Sequence, residues 1–246
     1  MTGGLRTARS VGRSGALRSG DSLACGDHVG QSRAGDPGRF IDAARAAGVG
    51  QIVFLSVAGA GANPLVPHHA VEQRLQAEPG GWTILRPGFF VQNCQDAYRR
   101  DLREDDRLYV PAGDGQVAFV DLYDVAEVAA SAFADPAGHS GQAYTLTGPE
   151  ALGFETLAGE LTEVLGRRIR YESASIFGYL GHLRKRGLPW AQAVVQTILH
   201  VGLRFGQAAT VDPTLARLLG RPGRSVGVYL AENTALWASA GEPSRN

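Results

Sequence analysis

Two short runs decide the fold: QIVFLS at residues 51–56 and WTILRPG at residues 82–88. Each is a continuous apolar stretch with no alternation. That is the mark of a strand covered on both faces, as in a parallel sheet. Before the first run, RFIDAARAAGVG (39–50) places Phe40, Ile41, Ala44 and Ala47 on one helical face, and Gly48 can end the helix. Between the runs, VAGAGANPLVP (57–67) is a Gly/Pro loop and HHAVEQRLQA (68–77) is helical. Helix, strand, loop, helix, strand is the repeating unit of a parallel α/β sheet with right-handed crossovers. Residues 52–55 and 83–85 are therefore expected to be adjacent parallel strands, covered by the helices near Ala43 and Val71.

Outward from this unit the pattern is more mixed. GFFVQNCQDAYRRDL (88–102) reads as a helix, and RLYVPAGDGQVAFV (107–120) as two short strands around a Gly-Asp-Gly turn. DLYDVAEVAASAFAD (121–135) is an amphipathic helix with Asp121 as its N-cap. QAYTLTG (142–148) reads as a strand, FETLAGELTEVLG (154–166) as a helix and RRIRYESAS (167–175) as an edge strand. Helices follow from Ile176 to Leu203, broken near Gly187-Leu188-Pro189, and again at 212–220 and 225–238.

Residues 1–38 differ in texture. Gly, Arg, Ser and Ala dominate and no period of 2 or 3.6 is present. Such a segment buries too little surface to offset its ordering entropy. It is expected to be a disordered or non-native tail, with no strand beside 52–55. Lys185 is the only lysine in a chain rich in arginine. That usage fits a GC-rich gene, in which a frameshift or a misassigned start would produce this tail.

Bulk properties exclude some functions. The formal net charge is zero, against a broad nucleic-acid footprint. No apolar run approaches about 18 residues, so no membrane span is expected, nor is a secretory signal. Cys25 and Cys94 are the only cysteines, too few for a disulfide framework, and a cytoplasmic setting is expected. Scattered histidines and distant cysteines give no metal-ligand cluster.

A dinucleotide fold grips pyrophosphate with glycines between its first strand and first helix. Gly12 and Gly15 have the spacing, but the third position is Arg18 and no strand precedes them. Nor can a Tyr/Lys proton-transfer pair one helical turn apart exist, since the residue four before Lys185 is Gly181. The positive signals gather at the carboxyl ends of the two strands, where open α/β sheets bind ligands. Ser56 ends the first, as a ligand contact or a loop cap. His68 and His69 open the next helix, and a histidine can act as an acid near neutral pH. Gly88 permits close backbone approach, while Phe89 and Phe90 offer a ring face, at least one of them serving the core. Asn93 is a further polar contact, and Cys94 a buried small apolar residue.

With these residues in place, the chain resembles the NmrA-like group of atypical short-chain dehydrogenase-related proteins. The resemblance rests on FIDAARAAGVGQIVFLS, HHAVEQRL, WTILRPGFFVQN, VPAGDGQVAFVDLYDVAEVAA, GQAYTLTGPEAL, LAGELTEVLGRRIRY and LARLLGRPGRSV, in that order over about residues 39–235. It implies a partial Rossmann-like parallel sheet with a small mixed α/β C-terminal substrate lobe over residues 39–246. It also implies an NAD or NADP cofactor whose nicotinamide end lies near Ser56, Val57, Ala58, Pro87, Gly88, Phe89, Phe90 and Asn93. His68 stands where related plant reductases carry a lysine, and is the expected catalytic residue. The implied function is an NAD(P)H-dependent oxidoreductase of a small quinone-like or conjugated acceptor. The alternatives are a non-catalytic nucleotide- or redox-sensing or protein-binding module, or a truncated inactive fragment. Without a visible phosphate turn, dinucleotide affinity is expected to be millimolar or weaker.

Overall fold

The computed structural model describes residues 16–19, 22–25, 37–77 and 80–237. In chain order the elements are β1 (Ala16–Ser19), β2 (Ser22–Cys25), α1 (Pro37–Ala46), β3 (Gln51–Leu55), α2 (Pro67–Ala77) and β4 (Gly81–Pro87). Next come α3 (Asn93–Asp96), α4 (Arg99–Glu104), β5 (Arg107–Val110), β6 (Gln116–Val117), α5 (Leu122–Ala134), α6 (Pro136–His139) and β7 (Gln142–Leu146). The chain closes with β8 (Leu152–Gly153), α7 (Phe154–Leu165), β9 (Arg170–Ser173), α8 (Ile176–Lys185), α9 (Trp190–Leu203), α10 (Thr214–Leu219) and α11 (Val226–Glu232). Among the described residues, no helix is long and apolar enough to cross a membrane.

The chain divides into two compact units, one holding 1–87 with 125–146 and the other 88–124 with 147–246. The first is built on a five-stranded sheet in the order β1-β2-β3-β4-β7. Strands β2, β3, β4 and β7 are parallel, with Ile52 opposite Trp82 and Leu85 opposite Tyr144. The apolar runs therefore pair as the sequence predicts. Their two-sided burial follows from the pleat: Ile52, Phe54 and Ile84 face a cluster with Ile41 and Ala44 of α1 and Val71 and Leu75 of α2. Val53 and Leu85 point to the opposite face and are equally buried. Gly48, at φ 76°, takes the left-handed conformation that releases the chain from α1 toward β3.

The expectation of no strand within residues 1–38 is overturned. Strand β2 lies parallel to β3, Leu23 opposite Ile52 and Cys25 opposite Phe54, and β1 is antiparallel to β2. The physical reason is tertiary. The edge of β3 presents a row of backbone N–H and C=O groups, and a segment of weak intrinsic propensity pairs with it to satisfy them. Gly12 and Gly15 lie outside the described residues.

The second unit combines residues 88–124 with 147–246. Two local readings are corrected here. Residues 88–102 are not one helix: Phe90 bridges Val120 in an extended conformation, and helix appears only as the short α3 and α4. Backbone bonds from Val91 N–H to Val120 O (3.0 Å) and Val120 N–H to Phe89 O (3.0 Å) take the chain out of helical conformation. Nor do β5 and β6 form a hairpin: β5 pairs with β9 in parallel and β6 with β8 antiparallel. The Gly113-Asp114-Gly115 turn instead packs against the end of α9, where a side chain at Gly115 would strike the backbone of Leu203. This unit has its own core, centred on Tyr98, Leu108, Phe119, Phe154, Leu161 and Tyr229.

Candidate functional site

Strand β3 delivers Ser56 to the carboxyl edge of the first unit's sheet, and the Ser56 N–H continues the ladder by donating to Leu85 O (2.7 Å). The Ser56 side chain is buried, and its Oγ donates to Glu72 Oε1 at 2.5 Å. Glu72 is fully buried on α2 and accepts a forked pair from Arg86 of β4, Nε at 3.1 and 3.2 Å and a terminal nitrogen at 2.6 Å. Arg86 in turn lies against Gly61, where a Cβ would collide with the guanidinium. A strand end, a helix, the next strand and the connecting loop are thus tied through one carboxylate. Glu72 and Arg86 went unread in the sequence. The available signal was Arg86 itself, a charge inside the apolar run ILRP, which requires a buried partner.

Two other expected residues of this unit sit on the same loop. Ala58 donates its N–H to Pro87 O (2.9 Å), which brings Ala58 and Pro87 together; Ala58 is exposed and Val57 half-buried. His68 is half-buried near the start of α2, its ring 6.1 Å from that of Phe54. His69 is fixed by donation from Nδ1 to Ala60 O (2.8 Å). The Ser56 hydroxyl is spent on Glu72, and the exposed residues of the loop after it are Ala58 and Gly59, with the Val57 and Gly59 carbonyls accepting from the Ala60 and Ala62 N–H groups.

In the second unit, Phe89 meets Phe119 and His200 edge-on, at 5.8 and 5.6 Å, and so serves the core. Phe90 and Gly88 are half-buried. Asn93 turns its amide back to donate to Phe90 O (2.9 Å), closing the turn that carries both phenylalanines. Cys94 is fully buried, and burial pushes its thiol up to about 12, in keeping with an inert core residue. Beneath Phe89, His200 donates from Nδ1 to Gln196 O (2.7 Å), so its neutral Nε2 accepts from the Tyr98 hydroxyl (2.7 Å). Burial holds the imidazole below its ordinary value and the Tyr98 phenol well above its own.

The start of α5 is anchored as its sequence suggests. Asp121 accepts from the Tyr123 N–H (3.0 Å), from Gln92 (2.8 Å) and from Arg224 Nε (2.7 Å). Asp124 accepts from Arg221 (2.9 Å) and the Arg224 N–H (2.6 Å). The GRPGRS segment is thus a clamp on two buried carboxylates, a role the sequence reading did not assign. Among the described residues, no group of three or more His, Cys, Asp or Glu could hold a metal.

A sheet with four parallel strands flanked by helices, like that of solved quinone oxidoreductase structures, makes this a Rossmann-type α/β protein. The chain belongs to the NmrA-like family, which it matches over residues 30–221. It is 32% identical over 207 residues to the NAD(P)H azoreductase of Xenophilus azovorans, covering 82% of this chain and 71% of that protein. It is also 32% identical over 203 residues to quinone oxidoreductase 2 of Escherichia coli, covering 81% of this chain and 70% of that one. The solved structure of the E. coli NADPH-dependent quinone oxidoreductase, complexed with NADPH, matches with a TM-score of 0.74 at 29% identity, over 86% of this chain and 76% of that one.

Proposed function

We propose that this chain is an NAD(P)H-dependent oxidoreductase that reduces a small quinone-like or conjugated acceptor. The observation that carries the reading is the open loop after β3, held by Glu72, in a chain whose relatives bear the names azoreductase and quinone oxidoreductase. The fit of the cofactor is one-sided. The small, exposed residues Ala58 and Gly59 leave room for the nicotinamide end. Among the described residues, however, no Gly-rich strand–turn–helix is present to hold a pyrophosphate. When bound, the reduced nicotinamide supplies the hydride.

For the nicotinamide end we keep Val57, Ala58 and Pro87 of the first unit, with Ser56 holding the backbone because its side chain is committed to Glu72. His68 is the proposed proton donor to the reduced acceptor. The test is oxidation of millimolar NADPH by a benzoquinone, followed by loss of reduced-nicotinamide absorbance. No quinone-dependent oxidation would sink the reading. Unchanged kcat and pH profile in His68→Gln would remove His68 from it.

A second reading, a nucleotide-responsive or protein-binding module without catalysis, is favoured by one observation. From β2 to β7 the described sheet runs in one direction, without the strand-order reversal that makes a dinucleotide crevice. Ligand binding without turnover in the same assay would select it.

A further inference from the structure

Helix α9 is apolar on both sides. From Trp190 to Leu203 it contains no Asp, Glu, Lys or Arg. One stripe, with Ala193, Thr197, His200 and Leu203, is buried in its own unit. The opposite stripe, Ala191, Val195, Ile198 and Leu199, has i, i+4, i+7, i+8 spacing and points outward. Val195 is 56% exposed, Ile198 65% and Leu199 59%. A helix with an outward aliphatic stripe and no charge is one that a neighbour normally covers. Here that stripe is uncovered.

The patch continues at both ends. Trp190 is exposed at the amino end of α9, with the Arg184 guanidinium 5.9 Å from its ring centroid, and Phe205 is exposed just past the carboxyl end. Arg204 donates to Ser173 Oγ (3.3 Å) and Ala174 O (3.2 Å), which brings the start of α8, with exposed Phe177, to that same end. Val195, Ile198, Leu199, Trp190, Phe205 and Phe177 together expose on the order of 800 Å², taking each exposure against the full area of its residue type. The largest apolar patch on a monomer is commonly about 300–600 Å². One partner's share of a standard stable interface is about 800 Å².

We propose that α9 is the seam of a homodimer, each copy covering the outward stripe of the other about a twofold axis. The occupant follows from the chemistry of the face. Its apolar stripe carries no charge, so it asks for no complementary charge on a partner. A twofold contact sets the same stripe against itself, and the uncharged stripe of α9 is complementary to itself, with Arg184 and Arg204 left at the two ends of the patch. The length also suits: 14 residues make a seam of roughly 21 Å, enough for two helices to cross over several side-chain layers.

Sedimentation velocity and light scattering on the purified chain, over about 1–100 μM, read the equilibrium directly. A dimer is expected across most of that range. Ile198→Glu with Leu199→Glu sets four carboxylates into the seam and should weaken association at least a hundredfold, leaving a monomer with unchanged far-ultraviolet dichroism. Val195→Lys is the second variant, to be read if the first does not fold, and should also shift the equilibrium to monomer. A wild-type chain that is monomeric at about 100 μM overturns the proposal. So does a dimer that neither variant disturbs, or a monomer that instead partitions onto neutral phosphatidylcholine vesicles.

Discussion

Glu72 has no exposure, and its two oxygens are divided between a hydroxyl and a guanidinium. Removing one partner of such a pair leaves a buried charge uncompensated, which costs about 3–5 kcal/mol, far more than loss of a surface ion pair. Arg86→Ala should therefore lower the unfolding free energy by about that amount in urea titration. Replacing both, Glu72→Leu with Arg86→Met, should cost clearly less, because an apolar pair of similar volume needs no solvation. If the double variant is the worse of the two, the carboxylate is not what ties Ser56, α2 and β4 together. His200 makes the opposite kind of prediction, in pH. Its folded value is depressed by burial from an ordinary 6.5, so the unfolded chain takes up a proton that the folded chain refuses. The stability that neutral His200 permits is fully present above about pH 6.5 and is lost as pH falls, by up to about 1.4 kcal/mol per pH unit. Thermal melts between pH 7 and 5 should fall more steeply for the wild type than for Tyr98→Phe/His200→Phe, which has no imidazole to charge. Equal slopes would show that the imidazole already titrates freely in the folded protein.

At the scale of elements, legibility followed the source of each element's stability. Strands β3 and β4 are continuous apolar runs whose burial is written in their own residues, and both were readable. Helix α7, with Phe154, Leu157, Ala158 and Leu161 buried and Gly166 in the left-handed region after it, was equally plain. Strand β2 was not, because SLAC gains its conformation from the edge of β3 rather than from its own propensity. The Gly-Asp-Gly turn misled for the same reason: β5 finds its partner in β9, some 60 residues on, and no local pattern encodes that pairing. Ser56, Gly88 and Asn93 carry local signals in the sequence and are named there as expectations. Glu72 is not, since in HHAVEQRL it looks like any helix-surface carboxylate until the fold brings Arg86 to it. A long-range approach of this kind can be tested at Gly148, whose missing side chain lets the backbone of Phe119 lie against it. The obstacle is main chain, which cannot swing aside. Gly148→Ala should cost about 1–3 kcal/mol by chemical denaturation. Gly159→Ala, with open space at its helical position, should be neutral or stabilising by about 0.5–1 kcal/mol. A Gly148→Ala protein as stable as Gly159→Ala would mean that the Phe119 backbone yields at no cost.

At the scale of the whole molecule, the question is how much of a dinucleotide the described residues can hold. A Rossmann site binds pyrophosphate on backbone N–H groups at a helix start, where the dipole also favours an anion. Each such charge-assisted bond is worth about 1.5–3 kcal/mol net. Two of them supply on the order of 4 kcal/mol, about a thousandfold in affinity. The described strands from β2 to β7 advance across the sheet in one direction, and β1 beside them is antiparallel, so among the described residues there is no second half-sheet to build that cradle. What remains is the loop at residues 57–62, exposed at Ala58 and Gly59. That loop is the part of the first unit proposed above for the nicotinamide end. The expected outcome follows from the difference. NADPH and reduced nicotinamide mononucleotide should bind within about tenfold of each other, both near millimolar, because the extra half of NADPH meets few additional partners among the described residues. Calorimetric titration of the two ligands measures this without any turnover. Micromolar NADPH with more than about a hundredfold preference over the mononucleotide would refute it. Phosphate ligands would then have to come from residues outside those described, Gly12 and Gly15 first among them. Replacing both by alanine would decide the point, since a true cradle loses its grip when side chains block the approach of the phosphates.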